Sequence, residues 1–278
     1  MAKIVDINDE RDVRLEKLAA LKKAGINPYP AKSNRQHSVK QALAGKEGQK
    51  FTLAGRIMTK REMGKLTFCH LWDATGQMQI AIKQDEAGKD SYNLFVKKID
   101  MGDIIEVAGE KFLTHKGEPT VLVKNWTLLA KALLPLPDKF HGLQDEELRL
   151  RKRYLELISN PELKELFRQK SRFWQATREF LLKEGFLEVE TPVLESTCGG
   201  ADATPFVTHL NALDMDVYLR ISMGELWQKR LMVAGFEKTF EIGRQFRNEG
   251  MSREHLQDYT QMEFYWAFAD DEKGMGLV

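Results

Sequence analysis

The residues best suited to chemistry lie in one stretch of the sequence, Phe240–Tyr265. Arg247 and Glu249 are two positions apart, and on a strand such residues point to the same face. An arginine there can fork onto a phosphate, and the glutamate can accept a hydrogen bond from an amino group such as that of adenine. His255 can reach outer phosphates from the following loop, and Tyr259 can stack on a base. The ordered set predicts a nucleotide site, although any one pair alone would fit an exposed hairpin with salt bridges.

A second pair, Glu263 and Tyr265, lies on the next predicted strand. The two-residue spacing again places both side chains on one face. Together they would present a negative charge and a hydroxyl group to a ligand.

The strands that carry these residues follow a long amphipathic helix. Leu163–Leu181 keeps its apolar residues at helical spacing over about five turns, and Gly185 can end that helix in a left-handed conformation. Residues 186–194 then favour an extended segment in which Pro192 marks a sheet edge or a strand end. Further strands are predicted at 216–221, 238–244 and 258–269.

Residues 51–129 have the alternating pattern of β-strands. Turn signals separate five short strands, and a short helix follows the third, which is typical of a Greek-key barrel of the OB type. An amphipathic helix is predicted from about Asp9 to Ala24, and a polar connector from Asn27 to Gly48. A linker is predicted from Leu133 to Gln144.

The composition fits a soluble globular protein, since 42% of the 278 residues are hydrophobic and 30% are charged. No apolar run approaches the roughly 18 residues that a membrane span needs, and Met1–Glu10 lacks the pattern of a secretory signal. The only cysteines, Cys69 and Cys198, are too few for a disulfide framework and lack metal-ligand spacing. These features predict a cytoplasmic protein with reduced thiols and assign it no metal ligands.

The net charge is +1, from 42 basic and 41 acidic residues, so a nucleic-acid partner would need a localised basic patch. Charge alone favours ordinary solvated faces. The candidate patches are Lys60, Arg61 and Lys65, and a later cluster of Arg149, Arg151, Lys152 and Arg153.

Two stretches resemble signature motifs of class II aminoacyl-tRNA synthetases. Phe246-Arg247-Asn248-Glu249, with His255 downstream, is similar to motif 2 of that family, and Gly185–Pro192 is similar to motif 1. Other segments are similar to the lysine-specific branch, and the likeness extends from the N-terminal helix to Ala269. These segments are Lys131–Leu143, Arg153–Leu157, Gly199–Ala201, Pro205–Phe206 and Tyr218–Ile221, with Gly55–Met58 and Met63–Lys65 in the barrel.

The resemblance implies a lysine–tRNA ligase that uses ATP and Mg²⁺ to form lysyl-adenylate and then transfers lysine to tRNA(Lys). Arg247 would be the catalytic residue, neutralising the α-phosphate while the carboxylate of lysine attacks ATP. Glu249 and Tyr259 would hold adenine, and His255 would hold the distal phosphates.

The same resemblance implies which residues hold lysine. Gly200 and Glu225 would bind its α-ammonium group. Glu263 and Tyr265 would bind its ε-ammonium group, and an uncharged rival would leave that carboxylate unpaired.

In the barrel, the resemblance implies anticodon contacts at Arg61, Phe68, Gln79 and Glu118. Gln79 alternates with apolar neighbours, so an outward position is expected. For Phe68, a place in the barrel core remains an equal alternative.

The expected fold class is α+β, an N-terminal OB-fold β-barrel followed by the first part of a class II synthetase catalytic domain with an antiparallel sheet. The expected domains are an N-terminal helix and connector (1–50), an OB-fold anticodon-binding domain (51–130), a linker (131–150) and a catalytic domain with motifs 1 and 2 (151–278). Motif 3 and the metal-binding carboxylates are expected beyond Val278, so the chain is expected to be an inactive fragment on its own. The resemblance also implies a homodimer through the motif 1 region, Ser171–Leu194.

The sequence departs from the family pattern at two further places. Ile221–Glu225 is one residue longer than the usual spacing, and Leu256 stands where the family usually has asparagine. Two alternatives remain open, a non-catalytic tRNA-binding or regulatory relative and an aspartyl- or asparaginyl-tRNA synthetase of the same subclass. The acidic Glu263 favours lysine, because the side-chain pockets of the other two enzymes need a cation or an amide partner.

Overall fold

In the computed structural model, which describes residues 7–137, 144–252 and 254–278, the chain divides into two units. One unit ends at Asn160, and the other runs from Pro161 to Val278. Part of the predicted linker, residues 138–143, lies outside the described residues.

Two helices precede the barrel, α1 (Ile7–Lys23) and α2 (Val39–Ala44). The first matches the predicted helix, but the second lies where the polar sequence predicts a connector. A capping box starts α2, because Ser38 Oγ accepts from Gln41 N at 3.3 Å and Gln41 Oε1 accepts from Ser38 N at 2.8 Å. Val39 and Ala42 bury the short helix against the barrel core.

The barrel elements are β1 (Lys50–Met63), β2 (Leu66–Asp73), β3 (Gly76–Lys83), α3 (Gln84–Ala87), α4 (Lys89–Lys98), β4 (Ile104–Leu113) and β5 (Pro119–Ala130). The five strands close into a barrel in the order β1-β2-β3-β5-β4, which confirms the predicted architecture. Buried side chains alternate with more exposed ones along β1 and β2, so one apolar face closes on the interior. Two helices, α5 (Glu146–Arg151) and α6 (Arg153–Ser159), also belong to the first unit.

The second unit contains α7 (Leu163–Lys183), β6 (Leu187–Glu188), β7 (Leu194–Glu195), β8 (Val207–Leu210), β9 (Met215–Leu219), a π-helical turn (Gly224–Gln228), α8 (Lys229–Val233), β10 (Lys238–Phe246), β11 (Asp258–Trp266) and α9 (Asp271–Leu277). Its strands form two sheets, ordered β11-β10-β6 and β7-β9-β8. Leu181, Phe186 and Phe240 form the buried core that carries β10 and β11. Within the described ranges, none of the helices has the length and apolarity needed to cross a membrane.

The segment 186–194, predicted to be extended, contains the strand β6 and the start of β7. Its ends pair with different sheets, since β6 lies parallel to β10 and β7 lies antiparallel to β9. Pro192 lies between them and has no N–H group to donate to a strand ladder.

A buried cluster of charges joins α1 to the barrel. Lys131 Nζ lies 2.6 Å from Asp100 Oδ2 and 2.9 Å from Asp103 Oδ2. Lys17 of α1 reaches Asp100 Oδ1 at 2.5 Å. Burial raises the pKa of Asp103. Burial also acts to raise the pKa of Asp100, but hydrogen bonds from Lys131 and Lys17 outweigh it and lower that pKa.

Replacing Lys131 with methionine is expected to lower the free energy of unfolding by about 3 kcal/mol, because it leaves buried carboxylates without their cation. Urea unfolding of the whole chain, followed by circular dichroism, measures this loss. Lys124→Met is the matched control, since it removes an exposed pair with Glu110 at 3.9 Å and should cost less than about 1 kcal/mol. Equal losses in the two variants would contradict a stabilising role for the buried cluster.

Candidate functional site

Strands β10 and β11 form the hairpin that carries the predicted catalytic residues. Their antiparallel register places Gln245 opposite Tyr259 and Thr239 opposite Tyr265. Beyond the paired strands, Arg247 N donates to Gln257 O at 2.8 Å. Arg247 is therefore held in line with β10 where the connecting loop begins.

The loop between these strands and the start of β11 line an open cavity of about 360 Å³. The cavity brings together all of the predicted ATP residues and also Leu256. It is lined by Arg247, Glu249, Gly250, Glu254, His255, Leu256, Gln257 and Tyr259.

The guanidinium group of Arg247 is suited to binding an anion. Its Nε atom is buried and has no hydrogen-bond partner among the described residues. Its Cζ atom lies 5.7 Å from the centroid of the Tyr259 ring, a cation–π distance that orients the side chain. A buried N–H group without a partner costs free energy, and a phosphate oxygen would satisfy it with a charge-assisted bond.

Glu249 and His255 are exposed on the rim of this cavity. Glu249 Oε1 accepts from Thr204 N at 3.0 Å, and the neighbouring Asn248 N donates to Thr204 O at 2.8 Å. Ser252 Oγ lies 2.8 Å from His255 Nδ1. One atom of each side chain is thus engaged in a hydrogen bond, and both side chains line the cavity.

Glu263, in β11, has a carboxylate surrounded by neutral donors. Oε1 accepts from Gln245 Nε2 at 2.7 Å and from Gln261 Nε2 at 3.1 Å, and Ser222 Oγ lies 3.3 Å from each carboxylate oxygen. Met223 N is 3.4 Å from Oε1. Within the described ranges these donors are all uncharged, so the negative charge of Glu263 has no cationic partner there.

Tyr265 lies beside this carboxylate. A Cβ atom added at Gly224 would overlap both Glu263 Oε2 and the Tyr265 ring, so the two side chains meet at the same point of the backbone. Burial, with the charges of Glu225 and Glu263, raises the pKa of Tyr265 although Lys229 opposes the shift. The phenol therefore keeps its proton at neutral pH and can donate or accept a hydrogen bond.

Gly200 and Glu225, predicted to bind an α-ammonium group, also meet. Gly200 has a φ of +96°, and a Cβ atom there would overlap the Glu225 side chain. Glu225 is half-buried and pairs with Lys229. It lies in the π-helical turn Gly224–Gln228, and such a turn takes up one residue more than an α-helical turn. Glu225 therefore lies against Gly200.

The outer face of the barrel carries the predicted nucleic-acid residues. Phe68 is half-buried between the buried Thr67 and Cys69, so its ring lies on the outer face and not in the barrel core. The strand register places the exposed Arg61 opposite Phe68. Arg61 and Phe68 therefore present a charge and an aromatic ring side by side.

Gln79 and Glu118 are hydrogen-bonded to each other on the same barrel, and His70, which the sequence interpretation missed, contacts Glu118. Gln79 Nε2 donates to Glu118 Oε2 at 2.8 Å, and His70 Nε2 lies 3.2 Å from Glu118 Oε1. Thr120 Oγ1 donates to Gln79 Oε1 at 2.8 Å. Strand alternation puts His70 on the same face as Phe68, so the outward position of one implies that of the other.

Sequence interpretation also missed the donors to Glu263. Gln245 is fully buried yet lies only two positions before Arg247, so strand alternation was an available signal for it. Ser222 had no comparable signal, because it lies outside the strands. Within the described ranges, no group of three or more His, Cys, Asp and Glu residues is arranged to hold a metal ion.

Comparison with known proteins identifies two matching families. The family "tRNA synthetases class II (D, K and N)" matches residues 145–278, and the family "OB-fold nucleic acid binding domain" matches residues 51–129. Lysine–tRNA ligases from Carboxydothermus hydrogenoformans, Pelotomaculum thermopropionicum and Bacillus subtilis are 52%, 50% and 46% identical to this chain over 98% of its length. The matches cover 56%, 54% and 56% of those relatives, so the chain spans about half the length of the curated relatives it matches.

Proposed function

Since this chain belongs to the class II tRNA synthetases (D, K and N) and carries an OB-fold nucleic-acid-binding domain, we propose that it acts in lysine–tRNA ligation. The reaction would activate lysine with ATP and transfer it to tRNA(Lys). One observation carries the choice of lysine: the Glu263 carboxylate, beside Tyr265, has only neutral donors among the described residues. An ammonium group would neutralise that charge, whereas the carboxylate of aspartate would be repelled by it.

The first step would be attack by a carboxylate oxygen of lysine on the α-phosphorus of ATP. Pyrophosphate leaves with the electron pair of the broken P–O bond, and lysyl-adenylate is formed. The Arg247 guanidinium group would donate to oxygens of the α-phosphate while charge builds on them. Glu249 and Tyr259 would hold adenine, and His255 would contact the outer phosphates. Mg²⁺ bound with ATP would neutralise further phosphate charge, and we assign it no ligand in this chain.

In the second step, a hydroxyl group at the 3′ end of tRNA would attack the carbonyl carbon of lysyl-adenylate. The ester bond to tRNA forms, AMP leaves with the electron pair of the broken C–O bond, and the hydroxyl proton passes to the phosphate of AMP. Gly200 and Glu225 would hold the α-ammonium group in both steps, since the side-chain stem of Glu225 lies against Gly200, where no side chain fills the space.

The test is ATP–pyrophosphate exchange by the product of the complete reading frame that carries this sequence. Exchange stimulated by lysine is the expected result. Exchange stimulated by aspartate or asparagine in place of lysine would overturn the assignment, since both alternatives use the same class of catalytic domain.

We also propose that two copies associate through α7 and the segment that follows it. Several apolar side chains of α7 are exposed, and exposed apolar patches on a helix indicate an interaction surface. They are Leu166, Phe167, Phe173, Phe180 and Leu182, between 45% and 62% exposed. A homodimer in the cytoplasm is the assembly that this proposal implies.

Replacing Phe68 with alanine is expected to weaken binding of the tRNA(Lys) anticodon stem-loop about tenfold or more, since stacking of one base on an aromatic ring contributes about 1–3 kcal/mol. Fluorescence anisotropy over a salt series measures both the dissociation constant and its salt dependence. The salt dependence should stay unchanged, because Phe68 contacts no phosphate in this proposal. Phe236→Ala removes a partly exposed ring in the second unit and should leave binding unchanged. Equal affinities of Phe68→Ala and the unsubstituted protein would contradict the anticodon role.

A further inference from the structure

The segment Ser222–Gly224 lies directly against the Glu263 carboxylate. Ser222 Oγ is 3.3 Å from each carboxylate oxygen, and Met223 N is 3.4 Å from Oε1. Gly224 N donates to Ser222 Oγ at 3.2 Å. Three consecutive residues therefore form one hydrogen-bonded unit around Glu263.

The direction of these bonds settles where the Ser222 proton points. A serine hydroxyl group can donate one proton and can accept through its lone pairs. The Gly224 N–H group donates to one lone pair of the Ser222 oxygen. An ionised carboxylate can only accept, so the hydroxyl proton of Ser222 is directed at Glu263. The terminal torsion of a glutamate side chain has only weak intrinsic preferences. A donor equidistant from both oxygens restrains that torsion.

The π-helical turn holds Ser222 in this position. Gln228 is fully buried, accepts from Thr239 Oγ1 at 3.0 Å and lies with Nε2 3.4 Å from Glu263 O. Gly224 is buried, and even one added carbon atom there would overlap Glu263 Oε2 and Tyr265. The segment is therefore fixed to both β10 and β11.

The two oxygens of Glu263 differ in their partners among the described residues. Oε1 has donors from Gln245, Gln261, Met223 and Ser222, whereas Oε2 has Ser222 alone. A carboxylate oxygen can accept more than one hydrogen bond. Oε2 is thus the oxygen with capacity for an added ammonium group, and the rotation of the carboxylate decides where it points.

We propose that Ser222 is a positioning residue that sets substrate affinity by holding Glu263 Oε2 toward the side-chain ammonium group of the amino acid. This inference rests on the proposed function, because it concerns the pocket that Glu263 and Tyr265 form. Ser222 itself makes no contact with the substrate and acts through the angle of the carboxylate.

The test is Ser222→Ala in the product of the complete reading frame, assayed by ATP–pyrophosphate exchange. The KM for lysine is expected to rise about fivefold, since a hydrogen bond to a charged group is lost while the remaining donors to Glu263 stay. The kcat and the KM for ATP should change less than about twofold, because neither depends on the torsion of Glu263. Ser222→Thr keeps the hydroxyl group and should restore the KM for lysine.

Thr208→Ala, which removes an exposed hydroxyl group from β8, is the matched control and should leave all of these constants unchanged. An unchanged KM for lysine in Ser222→Ala would overturn the inference. So would a parallel loss in kcat and in the KM for ATP, or a failure of Ser222→Thr to restore affinity. Absence of lysine-dependent exchange in the unsubstituted protein is a separate result, and it would overturn the proposed function together with this inference.

Discussion

Glu263→Gln is expected to lower lysine-dependent ATP–pyrophosphate exchange in the product of the complete reading frame by roughly 30-fold or more. The change keeps the shape of the side chain but removes its charge, so the ammonium group of lysine would be buried without an anion. Truncating one partner of a buried, hydrogen-bonded charge pair costs about 2–5 kcal/mol. A loss in this range lowers kcat/KM for lysine by roughly 30-fold to several thousand-fold.

The neighbours of Glu263 would fix the orientation of a glutamine at this position. Gln245 and Gln261 donate to Oε1, so a glutamine would keep its carbonyl oxygen there and place its NH₂ group at the Oε2 position, where it would face the ammonium group of lysine. Glu237→Gln is the matched control, because it makes the same change at an exposed position before β10 and should leave exchange intact. Exchange by Glu263→Gln at the rate of the unsubstituted protein would refute the role of this carboxylate in selecting lysine.

Local periodicity explains which features the sequence predicts well. In β1, Leu53 and Ile57 are fully buried because every second residue of a strand faces the interior. The same rule predicts that Gln79 faces outward, and that Arg247 and Glu249 share a face. Each of these inferences needs only near neighbours in the sequence, so a single chain is enough to make them.

Contacts between distant segments leave no such pattern. Ser222 and Glu263 are 41 positions apart, and their contact depends on how the π-helical turn packs against β11. Whether Phe68 faces the core or the solvent depends on strand register, which alternation alone does not decide. The capping box that starts α2 was readable at Ser38 and Gln41, but the polar residues around it favour a connector equally well.

The segment 186–194, which includes β6 and the start of β7, shows a further limit of prediction from the sequence. Its apolar residues and Pro192 fit one strand that ends at a proline, and they fit two short strands equally well. The structure divides the segment because Leu187 pairs with Thr239 of β10, whereas Leu194 pairs with Leu219 of β9. Which sheet receives each end is decided by partners far along the chain, so the residues of the segment do not reveal it.

Arg247→Lys is expected to lower the kcat of exchange by about a hundredfold, because a preorganised donor to the developing phosphate charge is worth about 10²–10³ in rate. Lysine keeps the positive charge but lacks the planar fork of an arginine. It also cannot supply the Nε donor, which is buried and unpartnered among the described residues. The KM for lysine should change little, since Glu263 and Tyr265 hold that substrate in the proposed site.

The prediction for Arg247→Lys is specific because it states which kinetic constants change and which do not. A missing α-phosphate contact lowers kcat and weakens ATP binding, whereas a general loss of folding would reduce the active fraction without changing either KM. Arg11→Lys, an exposed exchange on α1, is the matched control and should keep every constant. A kcat for Arg247→Lys within about threefold of the unsubstituted protein would mean that charge alone suffices there, since a lysine supplies charge without the fork. That result would leave the unpartnered Nε atom without a role in catalysis.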